Sequence, residues 1–138
     1  MTDEDTATLG TECVVTDVLD DGTLVLSVPG RELRQMIHGL DVPLPVPAEY
    51  VEVITQRVPR TGQALRMRLI PAPPPQPPRA QLHYLAWRDK SGPVWRDLAL
   101  VLLAEGAAHV APHQFPERDT YLDAERTARQ RQVGVWSG

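Results

Sequence analysis

The sequence predicts an α+β fold in which five strands, interrupted by one helix, are followed by two closing helices. Three observations predict it. Between Glu12 and His38, Val- and Thr-rich stretches alternate with turn signals, as in consecutive hairpins. Around Tyr50, Leu98 and Tyr121, apolar residues recur at helical spacing instead. The chain has 138 residues, 42% of them hydrophobic, which is enough for one core and too little for two. We therefore expect a frayed N-terminus over residues 1–10 and a single domain over 11–138.

Glu12 to Leu19 reads as the first strand, Asp20-Asp21-Gly22 as a tight turn, and Thr23 to Val28 as the returning strand. Pro29-Gly30 makes the next turn, because Pro presets φ and Gly accepts a positive one, and Arg31 to His38 forms the third strand. Asp41 to Pro47 carries Pro at alternate positions, which excludes helix interior and central strand.

A helix from Pro47 or Ala48 to Arg57 places Tyr50, Val51, Ile54 and Val58 at helical spacing and is ended by Pro59 and Gly62. Ala64 to Ile70 alternates as a strand with one polar face. The proline-rich stretch 71–78 can be only polyproline II or irregular and reads as a stiff connector. Gln81 to Trp87 is the fifth strand, followed by the turn Asp89 to Gly92 and a short Val94-Trp95 extension. Asp97 to Glu105 forms the second helix with Gly106 as its stop. Glu117 to Gln132 forms the third, with Arg126, Arg129 and Arg131 near the end where cations suit the dipole.

Composition excludes several classes. The acidic start lacks the basic and hydrophobic regions of a secretory signal, and no apolar stretch is long enough to span a membrane, so the expected address is the cytoplasm. Cys13 is the single cysteine, which excludes an internal disulfide and a cysteine-rich zinc site; within Cys13-Val14-Val15 it reads as a buried small hydrophobe. Arg far outnumbers Lys, and Asn is absent, a bias of high-GC bacterial genomes that carries no functional information. A formal charge of −4 disfavours indiscriminate binding to phosphate backbones but leaves room for a local basic face.

Several segments together resemble the staphylococcal nuclease family. The hairpin Val18 to Leu26 resembles the family's opening Asp-Gly-Asp-Thr hairpin, and His38 to Pro43 its hydrophobic-Asp-Thr-Pro-Glu segment. Leu102 to Val110 resembles its Leu-Val-x-x-Gly-Leu-Ala-x-Val helix end. Tyr121, Ala124-Glu125, Ala128-Arg129 and Gly134-Val135-Trp136-Ser137 resemble its last helix and terminal aromatic. The similarity covers roughly residues 12–138 and implies a five-stranded oligonucleotide/oligosaccharide-binding (OB) barrel with three helices.

The resemblance also implies a chemistry of which little remains. The family holds calcium with two aspartates and a threonine carbonyl, activates water with a glutamate, and neutralises phosphate with two arginines. On this chain the first aspartate falls on Gly22, the first arginine on Met36, the threonine on Val42, the glutamate on Leu44 and the second arginine on Ala80.

Only Asp41 matches, and it can equally serve the turn before Pro43. Asp21, one residue from the lost ligand, points to the opposite face unless the turn is rebuilt. Arg34 shares a side with Met36 but lies roughly 6–7 Å further along the strand. Arg79 replaces the second arginine only if the proline loop slips by one residue. Glu49 lies near the vacant base position but suits a first helical turn. The family's stacking tyrosines fall near Pro112 and Gln114, leaving His113 and Phe115 as imperfect replacements.

The reading that follows is a catalytically inactive nuclease-like module that binds nucleic acid or protein and needs no cofactor. Arg34, Arg66, Arg68, Arg79, Arg88, His113 and Phe115 are its candidate contacts, and Trp87 and Tyr84 are aromatics that fit the core better than a stacking surface. One alternative is a weak calcium-dependent phosphodiesterase using Asp21 and Asp41 with Arg34 or Arg79. Another is a protein-interaction domain without nucleic-acid affinity. No Gly-x-Ser-x-Gly, Gly-rich phosphate loop or His-Glu-x-x-His motif offers a different enzyme.

Overall fold

The computed structural model describes residues 9–59 and 64–137, so most of the expected frayed terminus and Gly62 lie outside the described residues. The architecture is mixed α+β with three α-helices. In chain order the elements are β1 (Thr11–Glu12), β2 (Val14–Val18), β3 (Leu24–Val28), β4 (Arg31–Gln35), β5 (Leu40–Asp41), α1 (Ala48–Arg57), β6 (Leu65–Ile70), β7 (Arg79–Asp89), β8 (Gly92–Asp97), α2 (Leu98–Ala104), β9 (His109–Val110) and α3 (Arg118–Arg131). A 3₁₀ turn at Gly134–Trp136 follows.

The strands form a four-stranded sheet ordered β1-β6-β7-β8, a three-stranded sheet β2-β3-β4 and a two-stranded pair β5-β9, all antiparallel and none closed on itself. Two joints connect the larger sheets. The first expected strand is divided at Cys13, whose N–H donates to Leu65 O at 3.0 Å, so one side of it pairs with β6 and the other with β3. The third expected strand ends its ladder at Gln35 instead of His38. Met36 O accepts from Ala80 N at 2.9 Å and His38 N donates to Ala80 O at 2.8 Å, a parallel bridge to β7 centred on Ile37.

Period two places Leu24 and Leu26 of β3, Leu65 and Met67 of β6, and Ala80, Leu82 and Tyr84 of β7 inside, where Tyr50, Ile54, Leu98, Leu102 and Tyr121 meet them. Burying each large side chain contributes about 1.5–3 kcal/mol. Cys13 is 2% exposed and belongs to this core. Trp87 does not: it is 46% exposed on the β7-β8 hairpin, which corrects its expected place in the core, whereas Tyr84 is buried as expected. The Val94-Trp95 extension is a full strand, because β7 runs on to Asp89 and returns through Gly92.

The helices follow their caps. Asp97 accepts from Ala99 N at 3.0 Å and starts α2. Gly106 stops it with φ +70°, and a Cβ there would lie 2.2 Å from Val133 O, so only glycine admits the returning tail. In α3 the buried Glu125 accepts from Val110 N at 2.7 Å and from Arg129 at 3.1 Å, fastening β9 to the helix. Arg129 lies over Trp136, 4.3 Å from the ring centroid, and locks the tail. The proline stretch is not a straight polyproline segment: Gln76 N donates to Pro73 O at 3.1 Å, folding it into a turn over β7. No helix among the described residues is long and apolar enough to cross a membrane.

Candidate functional site

The loop after β4, strand β5, the proline turn and the loop after β9 converge on Arg79 at the start of β7. Its Nη1 donates to Leu40 O at 2.6 Å, which aims the guanidinium across β5. Beside it opens a cavity of about 330 Å³ lined by Asp41, Pro73, Gln76, Arg79, Pro112 and His113. A second hollow of about 150 Å³ shares Arg79 and His113 and adds His38 and Phe115. Arg79 thus reaches the cleft, whereas Ala80 is fully buried and gives both backbone groups to the bridge with Met36 and His38.

Gly22 and Val42, on which the resemblance places two of the calcium ligands, lie against each other. Gly22 has φ +90°, and a Cβ built on it would lie 3.1 Å from Val42 Cγ1. Tyr50, fully buried, donates to Gly22 O at 2.5 Å, and its phenol is held well above its usual range by burial and then by the Asp21 charge. Asp21 is exposed, with Oδ1 occupied by Thr23 N at 2.9 Å; the Thr23 hydrogen bonds keep its carboxyl below the usual range. Asp41 is exposed opposite His109, and among the described residues no hydrogen bond ties its carboxylate to turn amides.

Thr23 Oγ1 meets Met36 Sδ at 3.2 Å where a phosphate-binding arginine was expected to be lost. Val42 is 8% exposed, while Leu44 points outward at 67%. Among the described residues no three His, Cys, Asp or Glu side chains converge on a cation position. A hard cation requires several oxygen ligands, and Gly22 with Val42 offers hydrocarbon, so the residues present do not fit calcium. Glu49 sits in the first turn of α1, as a helix-end charge.

The remaining candidates are dispersed. Arg34 is exposed on β4 opposite Val25 and does not line the cleft. Arg66 lies 3.4 Å from Glu12 and opposite His83, and Arg68 donates to Gln81 at 2.8 Å; both belong to the outer face of the four-stranded sheet. Arg88 stands opposite Pro93 on the far hairpin. His113 and Phe115 flank the cleft, but Phe115 is wedged edge-on between His38 and Tyr121, with centroid separations of 5.1 and 5.5 Å, and so packs as part of the wall.

A polar network escaped the sequence reading. Glu117 Oε1 lies 2.9 Å from His38 Nε2 and 3.3 Å from Gln81 Nε2, and Tyr121 donates to Asp97 Oδ2 at 2.5 Å. His83 stands opposite Asp97 in the β7-β8 ladder. Burial lowers the His83 pKa against the pull of Asp97, and burial raises that of Asp97 against its hydrogen bonds. The signal lay in the polar alternation Arg79, Gln81, His83 facing Arg66 and Arg68, which reads as a solvated face although Glu117 reaches Gln81.

No protein-family model matches the chain, and no curated protein matches it. The class that fold and site define is thus an α+β domain with an arginine-centred cleft.

Proposed function

We propose that the chain is a catalytically inactive staphylococcal-nuclease-like module whose Arg79 cleft receives a nucleic-acid or protein partner. The two joints between the sheets support an OB-barrel ancestry: β1 and β2, divided at Cys13, join the two sheets, and the parallel bridge at Ile37 and Ala80 links the segment after β4 to β7. The observation that supports the loss of catalysis is that a Cβ at Gly22 would meet the Val42 methyl groups, hydrocarbon where a cation would need oxygen. Leu44, exposed away from the cleft, supplies no base.

Arg79 retains the role of an anion contact. It is half-buried, pre-aimed by Leu40 O, and presents a fork suited to phosphate or carboxylate. The exposed Leu44 favours a second reading, a protein-interaction domain without nucleic-acid affinity.

A cleavage assay with single-stranded and duplex DNA in calcium tests the first claim. We expect no turnover and no heat of calcium binding by titration calorimetry. Robust calcium-dependent cleavage abolished by Asp41→Ala would overturn it and restore the phosphodiesterase alternative.

A further inference from the structure

We propose that the β7-β8 hairpin is a docking surface for single-stranded nucleic acid, with Trp87 as its stacking platform and Arg96 and Lys90 as its phosphate contacts. The proposal rests on the binding-module reading and places a contact outside the Arg79 cleft.

Trp87 is 46% exposed, an unusual position for the largest apolar side chain in a protein that buries both Tyr50 and Tyr121. A register shift between Leu85 and Trp87 turns it to face Val94, on the same side of β8 as Arg96. The Arg96 guanidinium lies over the indole, 4.7 Å from the ring centroid, so the pair forms a flat cationic step. Lys90 is exposed in the turn that follows and Arg88 on the hairpin's other face, and among the described residues neither they nor Arg96 forms an ion pair.

The hairpin reverses the sign of the protein. Arg88, Lys90 and Arg96 are accompanied by one exposed carboxylate, Asp89, with Asp97 half-buried at the far end of β8, in a chain whose formal charge is −4, and Lys90 is its only lysine. Asp89 is itself engaged by Ser91, whose N–H and hydroxyl donate to Oδ1 at 2.8 and 2.7 Å, fixing the tip. Charge complementarity selects an anionic partner, and the exposed π surface selects one that brings its own rings. Every base has a face to stack, whereas an acidic peptide supplies carboxylates alone. A duplex keeps its bases stacked inside and offers none to Trp87.

The test uses the whole chain with fluorescein-labelled oligothymidylate of twenty nucleotides, a duplex of equal length, and polyglutamate as an acidic polymer without rings. We expect saturable binding to oligothymidylate in low salt, with quenching of tryptophan emission, and weaker binding to duplex. Trp87→Ala should reduce affinity by about tenfold or more, the range of one lost base stack. The exposed double variant Arg96→Gln/Lys90→Gln should lessen the log–log salt slope by about 1.4, the value for two phosphate contacts on a single strand.

Absence of oligothymidylate binding at low salt overturns the proposal, as does binding that both hairpin variants leave intact. Polyglutamate binding as tight as oligothymidylate overturns it in favour of an acidic-protein surface. Arg79→Gln separates the two readings: oligothymidylate binding lost there and unchanged in the hairpin variants assigns the contact to the cleft and leaves the module reading standing. Calcium-dependent cleavage would instead sink the module reading while the hairpin assignment kept its own measurements.

Discussion

Tyr121 of α3 donates its phenol proton to Asp97 Oδ2 at 2.5 Å while Asp97 Oδ1 caps α2 through Ala99 N at 3.0 Å. One carboxylate thus ends a strand, starts a helix and receives a side chain from the last helix. The Tyr121 phenol is held above its ordinary range, first by burial and then by the Asp97 charge, so it stays a donor at all ordinary pH.

Replacing Asp97 with Ala should accordingly cost more than an ordinary cap. The cap alone is worth roughly 0.5–2 kcal/mol, and the stranded Tyr121 hydroxyl adds about 1–3 kcal/mol. Urea unfolding should show a lower midpoint at unchanged slope. Tyr121→Phe, which removes the donor as well, should relieve part of the loss in the double variant; strictly additive effects would contradict the shared hydrogen bond.

Gln132 closes α3 with φ +54°, a left-handed conformation in which glycine has no Cβ to clash. Gln132→Gly should therefore stabilise the protein by up to about 1 kcal/mol. A thermal melt of the two proteins checks it, and a lower midpoint for the glycine variant would contradict the strain.

Cys13 should be silent toward thiol reagents in the native state. Burial pushes its pKa up to about 12, outweighing the nearby Arg66 charge. At pH 8 a chromogenic disulfide should label it only as fast as the protein unfolds, and rapidly in denaturant. Immediate labelling of the native protein would place the thiol in solvent.

The His83 imidazole should make stability fall on mild acidification. Its folded pKa lies below the ordinary 6.5 chiefly because burial disfavours the charged ring. A depressed folded pKa means the unfolded chain binds the proton more readily. The contribution is complete above pH 6.5 and is lost as pH falls through the folded value. Denaturant midpoints at pH 7.5 and 5.5 should differ more for the wild type than for His83→Gln, which cannot titrate; equal differences would remove His83 as the cause.

The elements were largely legible in the sequence where one face was buried and the other wet. Alternation in Leu24 to Val28 and Leu65 to Ile70 located strands within a residue or so, because a period-two pattern has one register that hides its leucines. Asp97, Gly106 and Pro59 bounded their helices through local chemistry that acts without tertiary help. The dispersal of Arg66, Arg68, Arg79 and Arg88 was not legible, since each cation's direction depends on a partner far away in the chain: Glu12, Gln81, Leu40 or none. Trp87 was misplaced for a related reason, because a bulge that turns a side chain outward leaves no mark on composition.

By itself the sequence determined which side chains exist where the nuclease resemblance would put ligands and a base: glycine, methionine, valine and leucine offer no hard oxygen ligand or base from their side chains wherever they fold. Only the tertiary structure decided that Gly22 and Val42 fill one another's space, that Leu44 faces solvent, and that Arg79 aims across β5. The physical reason is range. Hydrophobic periodicity and caps are properties of neighbours along the chain, whereas a cleft is made by segments distant in sequence whose approach only packing of the whole core can set.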